Sequence, residues 1–199
     1  MDTLQKFDAY GMPLAKRYSE KQSTYARFLR RLEMNDEMGL AIEDLRFAHL
    51  TPILTLNNLN AEQTSFLDES SLERLLGIAC YARGTDGGAT SILIALDQDA
   101  AYDNPNFSWF KARHERFIYV DRIIVSSALR GQGVARALYR DLFAWATLTG
   151  QTQVVCEVNL RPPNPGSDAF HKGMGFVEVG QAEIHGGAKC VRYLQKFLL

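Results

Sequence analysis

The spacing of apolar residues changes several times along this chain, and each change marks an element. Leu40 to Leu45 (LAIEDL) reads as a short strand, and Arg46 to Asn58 carries Leu50, Ile53, Leu54 and Leu56 at helical spacing. Ser70 and Ser71 offer a cap for a helix through Leu76. Two runs, Ala79 to Arg83 and Ser91 to Leu96, predict strands, and the Gly84-Thr-Asp-Gly-Gly88 segment between them has the residues a hairpin turn requires. Asp97 to Glu115 holds Tyr102, Phe107, Trp109 and Phe110 and is expected to be a long loop, of the kind that often serves as a functional lid.

The second half is more regular. Phe117 to Val125 (FIYVDRIIV) is rich in β-branched and aromatic residues and predicts a strand. Arg130 to Ala135 is a glycine-bearing turn. It opens a helix over Val134 to Thr149 with Val134, Leu138, Leu142 and Trp145 on one side, closed by Gly150. Gln153 to Asn159 reads as a strand, and Asn164-Pro165 suits the cap and first position of a helix ending near Gly175. Phe176 to Gly180 and Ile184 to Phe197, broken at Gly186-Gly187, close the chain as strands. This order predicts an α/β (α+β) layer with mixed strands. Residues 1–38 lie apart from it. Tyr18, Tyr25, Leu29 and Leu32 recur near helical period, with Phe28 beside them and Lys16, Arg17, Lys21, Arg27, Arg30 and Arg31 between, so a helical extension is expected, its apolar stripe packing on the main domain (residues 39–199) or on a second copy in a homodimer.

Composition narrows the function classes. With 199 residues, 46% hydrophobic and 23% charged, the chain has material for one folded core. Twenty-two Lys+Arg against 23 Asp+Glu give a net charge of -1, which disfavours nucleic acid as a partner. Cys80, Cys156 and Cys190 are odd in number and far apart. Neither they nor His49, His114 and His185 have metal-ligand spacing, so free thiols and no metal are expected. No apolar run reaches the roughly 18 residues of a membrane span, and the amino terminus lacks a signal-peptide core. A cytoplasmic protein with no membrane partner is the expectation.

Chemistry concentrates at Val125-Ser-Ser-Ala-Leu-Arg-Gly-Gln-Gly-Val-Ala135. A strand ends there and glycines lead into a helix start, whose unpaired N–H groups and partial positive charge suit a phosphate. Gly131 and Gly133 let the backbone approach a ligand closely. A P-loop fails because no Lys-Ser or Lys-Thr follows the glycines. A dinucleotide fingerprint fits poorly, because Arg136 stands where its third glycine belongs. A glycine-rich loop that binds nothing is the plain alternative. Arg130-Gly-Gln-Gly133-Val-Ala135 fits [QR]-x-x-G-x-[GA] and resembles the coenzyme A pyrophosphate loop of the GNAT superfamily of acyl-CoA-dependent N-acetyltransferases. Glu157-Val-Asn, then Asn164, then Ala169-Phe-His-Lys-Gly-Met-Gly-Phe176 also resembles that family, and the pairing of ILTLNN (53–58) with FIYVDRIIV (117–125) is similar to a bacterial group of predicted acetyltransferases.

The resemblance implies a mostly antiparallel mixed sheet flanked by helices, with acetyl-CoA as cosubstrate. It implies direct transfer in a ternary complex to a small-molecule or peptide amine. Pyrophosphate would rest on the N–H groups of Arg130, Gly131, Gln132, Gly133, Val134 and Ala135. Backbone at Ile123, Ile124 and Val125 would hold the thioester and stabilise the oxyanion. Glu157 is the first candidate base, since an alkyl amine with a pKa near 10 must lose a proton before attack; an ordinary salt bridge is the alternative. Asp121 is the second, as base or substrate anchor, or as the partner of a buried Arg83 or Arg122. Asn164 matches a coenzyme-contacting asparagine and equally a helix cap. His171 stands where the family usually has a tyrosine general acid; it could fill that role or simply pack. Asn57, Asn58, Tyr102 and Trp109 are candidates for the acceptor side. An acyl-CoA-binding sensor on the same fold is the rival function.

Overall fold

The computed structural model describes residues 40–198; the expected extension over 1–38 lies outside them. Among the described residues seven strands share one sheet. They are β1 (Glu43–Asp44), β2 (Tyr81–Thr85), β3 (Ser91–Asp97), β4 (Ile118–Val125), β5 (Gln153–Arg161), β6 (Val177–Ile184) and β7 (Lys189–Phe197), in the order β1-β2-β3-β4-β5-β7-β6. Neighbours run antiparallel except β4 and β5, which are parallel. This is the mixed, mostly antiparallel sheet that the family resemblance implies.

Helices cover both faces. α1 (Leu50–Asn58), α2 (Glu69–Ile78) and α3 (Pro105–Lys111) lie on one face, where Ile53, Leu72, Phe107 and Phe110 pack with Tyr119, Val155 and Tyr193 from the sheet. α4 (Val134–Leu148) and α5 (Pro165–Gly173) lie on the other. Asp141 pins α4 to β2 by accepting from Tyr81 OH at 2.5 Å and from Arg83 at 2.8 Å.

Three local expectations need correction. The strand of Leu40–Leu45 shrinks to Glu43–Asp44. α2 is capped by Asp68, whose carboxylate accepts the Ser71 N–H at 2.7 Å, so Ser71 donates to the cap instead of forming it. Asp97–Glu115 is no lid. Asn104 accepts from the N–H groups of Asn106 and Phe107, Pro105 sits in the first turn, and the resulting helix buries Phe107 and Phe110 in the core.

Two irregularities shape the centre of the sheet. β4 and β5 pair at only two positions, Ile118 with Val154 and Tyr119 with Val155, although both strands continue to Val125 and Arg161. Beyond Tyr119 an open seam separates them. The second irregularity is a bulge: Arg122 lies opposite Ile94 and Val120 opposite Ala95, which leaves Asp121 without a cross-strand partner. Ser126 N–H donates to Thr90 O on the β3 side. Because successive N–H groups alternate along a strand, those of Val125 and Ile123 point to the seam.

If α3 is core, Phe110→Ala should cost about 3–5 kcal/mol, while Ser108→Ala on its exposed side should stay within about 0.5 kcal/mol. Urea denaturation of the two variants reads the difference.

Candidate active site

The glycine loop sits at the mouth of the seam. Gly131 and Gly133 have φ of 75° and 83°, a region that β-carbons disfavour, and Gly133 is the N-cap of α4. The helical ladder starts with Ala137 N–H on Gly133 O at 3.0 Å, so the N–H groups of Val134, Ala135 and Arg136 precede it. A β-carbon built at Gly131 meets nothing within 4 Å, which leaves the loop face clear. Arg130 folds back, donating from Nε to Val125 O at 3.2 Å and from its terminal nitrogen to Asn60 Oδ1 at 2.9 Å. Gln132 donates to Ala128 O. Such a loop, a run of N–H donors with positive helix-end potential and no β-carbon in front, fits a pyrophosphate. Asn164 caps α5 by accepting from Ser167 N–H at 3.1 Å.

Glu157 lies on β5 beside the seam, on the α1–α3 face. Its Oε1 accepts from Asn106 Nδ2 at 2.9 Å and from Tyr119 OH at 3.0 Å. Burial, and then the nearby charge of Asp121, push its carboxyl up to about 7 despite those two bonds. The same burial holds the Tyr119 phenol well above its usual range, so it remains a donor. Glu157 is thus poised to exchange a proton near neutrality.

Asp121 is placed differently. At the bulge its Oδ2 pairs with Arg122 Nε at 2.7 Å and its Oδ1 accepts from Tyr102 OH at 2.6 Å. Arg122 also donates to Asn57 Oδ1 at 2.6 Å, and Asn57 donates in turn to Ser65 O and Asn58 Oδ1. Asn58 clamps Leu67 through both its N–H and its carbonyl. Asp121, Arg122, Asn57, Asn58 and Tyr102 therefore form one fastening that ties the end of α1 and the following loop to β4. Trp109 stacks on Tyr193 with centroids 4.1 Å apart, carries the Arg113 guanidinium on its ring, and fills the space over Gly180, where a β-carbon would approach it to 2.6 Å. These four acceptor-side candidates all bond or pack within the fold.

His171 is enclosed by Tyr139, Phe170 and Phe176. Nδ1 lies 2.8 Å from Ser167 O and Nε2 2.7 Å from Tyr139 OH, so an Nδ1–H donating to the carbonyl leaves Nε2 to accept the phenol. Burial holds the imidazole below its usual pKa. Cys156 faces away from Glu157, beside Tyr139, and burial pushes its thiol up, which weakens it as a nucleophile. Sequence reasoning did not single out Asn106, Tyr119 or Tyr193. The one available signal was Asn104-Pro105, which marks a helix start and so places Asn106 in a first turn.

The sequence model of the Acetyltransferase (GNAT) family matches residues 34–176. That is more than half of the chain, and the chain belongs to this family. N-acetyltransferase 8F1 of Rattus norvegicus is 42% identical over 60 residues, covering 30% of this chain and 26% of that protein. The match thus spans about a quarter of that relative. Among solved structures, Ard1 from Thermoplasma volcanium superposes with a TM-score of 0.62 at 15% identity, over 80% of this chain and 97% of that one. Ribosomal-protein-alanine N-acetyltransferase from Brucella melitensis gives 0.60 at 20%, over 80% and 100%. The NatC complex bound to Gag peptide and CoA gives 0.61 at 14%, over 81% and 100%. At these identities the likeness is one of fold.

A histidine kept neutral by burial contributes stability that is full above the unfolded pKa of about 6.5 and is lost as pH falls through the depressed folded value. The stability gap between the wild type and His171→Gln should therefore narrow as pH falls from 7.5 to 5, measured by urea denaturation at each pH.

Proposed function

We propose that the chain is an acetyl-CoA-dependent N-acetyltransferase that acts on a primary amine within a ternary complex. One observation carries this reading: a glycine loop suited to pyrophosphate and a carboxylate poised near neutrality flank the same open seam. Acetyl-CoA supplies the activated acyl group. N–H groups of Gly131, Gly133, Val134, Ala135 and Arg136 would hold its pyrophosphate, and those of Ile123 and Val125, turned to the seam, would hold the pantetheine and thioester carbonyl.

Glu157 takes the proton that an incoming ammonium must lose. With its carboxyl near 7, it is ionised often enough to act and basic enough to accept. Asp121 is left out of proton transfer because Arg122 and Tyr102 occupy both its oxygens. His171 is left out because both ring nitrogens are engaged in the core. The thiolate then leaves unassisted or takes a proton from solvent. Solved neighbours whose names describe a ribosomal protein and a peptide make protein and peptide amines the first acceptors to try.

Saturating acetyl-CoA should raise the melting temperature, since ligand at about 100 times Kd stabilises by about 2.7 kcal/mol. No shift would remove the reading. Peptide N-termini, lysine and polyamines, screened by thiol release, then identify the acceptor class. With a working acceptor, kcat/KM should rise with pH through a midpoint near 7 as Glu157 loses its proton. Glu157→Gln should lower kcat by roughly 10²–10⁴-fold with little change in CoA affinity. An unchanged pH profile in that variant would exclude Glu157 as the base.

A further inference from the structure

The two oxygens of Glu157 are treated unequally. Oε1 accepts both hydrogen bonds, from Asn106 and Tyr119, whereas Oε2 is sealed from bulk solvent and has no partner among the described residues. Asn106 is itself held on every side. Its backbone N–H donates to Asn104 Oδ1 at 2.8 Å, and its Oδ1 accepts from Tyr193 OH at 3.1 Å. That second bond orients the amide: the oxygen meets the hydroxyl, so the NH₂ must face the carboxylate. The residue is 6% exposed, in the first turn of a helix anchored by Phe107 and Phe110. A polar side chain at this depth is costly unless its groups are bonded, and here both ends are.

We infer that Asn106 is a positioning residue for Glu157: with Tyr119 it grips Oε1, fixes the plane of the carboxylate and leaves Oε2 as the oxygen that receives the proton. This rests on the reading of Glu157 as the base. Gripped through one oxygen by α3 and β4, the group cannot turn, so the free oxygen keeps one direction. The two donors also stabilise the ionised form against burial and against Asp121. The other titratable groups around Glu157 are Tyr119 on β4, Tyr193 on β7 and, through the sheet, Cys156 and Tyr139. Burial pushes all four up, so they stay neutral through the physiological range. Among the described residues Asp121 is the one other acid acting on Glu157, and it is paired with Arg122.

The test reads Glu157 directly, in the full chain and without an acceptor. Protein labelled with ¹³C at the glutamate carboxyl is titrated by NMR from pH 5 to 9, the Glu157 resonance being the one that disappears in Glu157→Gln. The wild type should show a midpoint near 7. Loss of the Asn106 donor should move it up by about one unit, a tenfold fall in the ionised fraction on the acid side. Asn106→Leu removes the bond at similar volume, and Asn106→Asp, should the first variant fail to fold, replaces the donor by a negative oxygen and should raise the midpoint further. Tyr193→Phe, which frees the amide to turn, should give a smaller rise. An unchanged or lowered midpoint in folded Asn106 variants overturns the proposal. If the midpoint rises while the pH–rate midpoint with a working acceptor stays put, Asn106 still governs Glu157, and it is the reading of Glu157 as base that falls.

Discussion

Everything about this site depends on two parallel strands that pair and then stop pairing. Backbone N–H and C=O groups in a sheet interior normally satisfy one another, and leaving them unmatched is expensive unless water or a ligand takes the place of the neighbour. β4 and β5 are held together at Ile118–Val154 and Tyr119–Val155 and nowhere beyond. The gap opens in the middle of the sheet, between strands held firmly on their outer sides by β3 and β7. A rigid frame thus surrounds a row of main-chain donors, and the glycine loop between β4 and α4 lies at the end of that row.

Two carboxylates close to this gap show how surroundings divide labour. Asp121 receives a guanidinium and a phenol, so its charge is matched and its position is spent on holding α1 to β4. Glu157 receives only neutral donors, both on one oxygen, and lies deep enough for its proton affinity to climb toward neutrality. The same functional group becomes a clamp in one place and, in the other, a carboxyl that changes its ionisation near neutral pH, through its neighbours alone. Burying a carboxylate is costly without hydrogen-bond donors, and Asn106 supplies one from a helix that carries a polar first turn and an aromatic core-facing side within seven residues.

How much of this could be read from the chain varies with the range of the signal. The glycine loop and its helix were legible because the pattern is local and the backbone demand is specific, as the positive φ of Gly131 and Gly133 confirms. Asn164-Pro165 opens a helix long enough to show a period, whereas the same pair at Asn104-Pro105 does not. The helix it opens spans seven residues, too few for a period to emerge, and its dense aromatics suggested a cover instead of a core. Asn106 was invisible for a different reason: its importance lies in a partner 51 positions away, and nothing local marks it. His171 carries no mark of depth in one sequence either, since a helical histidine looks alike whether it meets solvent or Tyr139.

Tyr119 and Ile124 both belong to the core on the α1–α3 side, although they are five residues apart, a spacing that puts two side chains on opposite faces of an undistorted strand. The unpaired Asp121 between them supplies the missing half-step. The bulge therefore works as a phase shifter. Ahead of it the strand presents Tyr119 to Glu157, and past it the strand presents Arg122 to Asn57 and Ile124 to the core. Removing one residue there would leave composition and charge almost unchanged while turning every later side chain of β4 over, sending the guanidinium toward α4. What β4 protects at that point is a count of residues, more than the identity of any one of them.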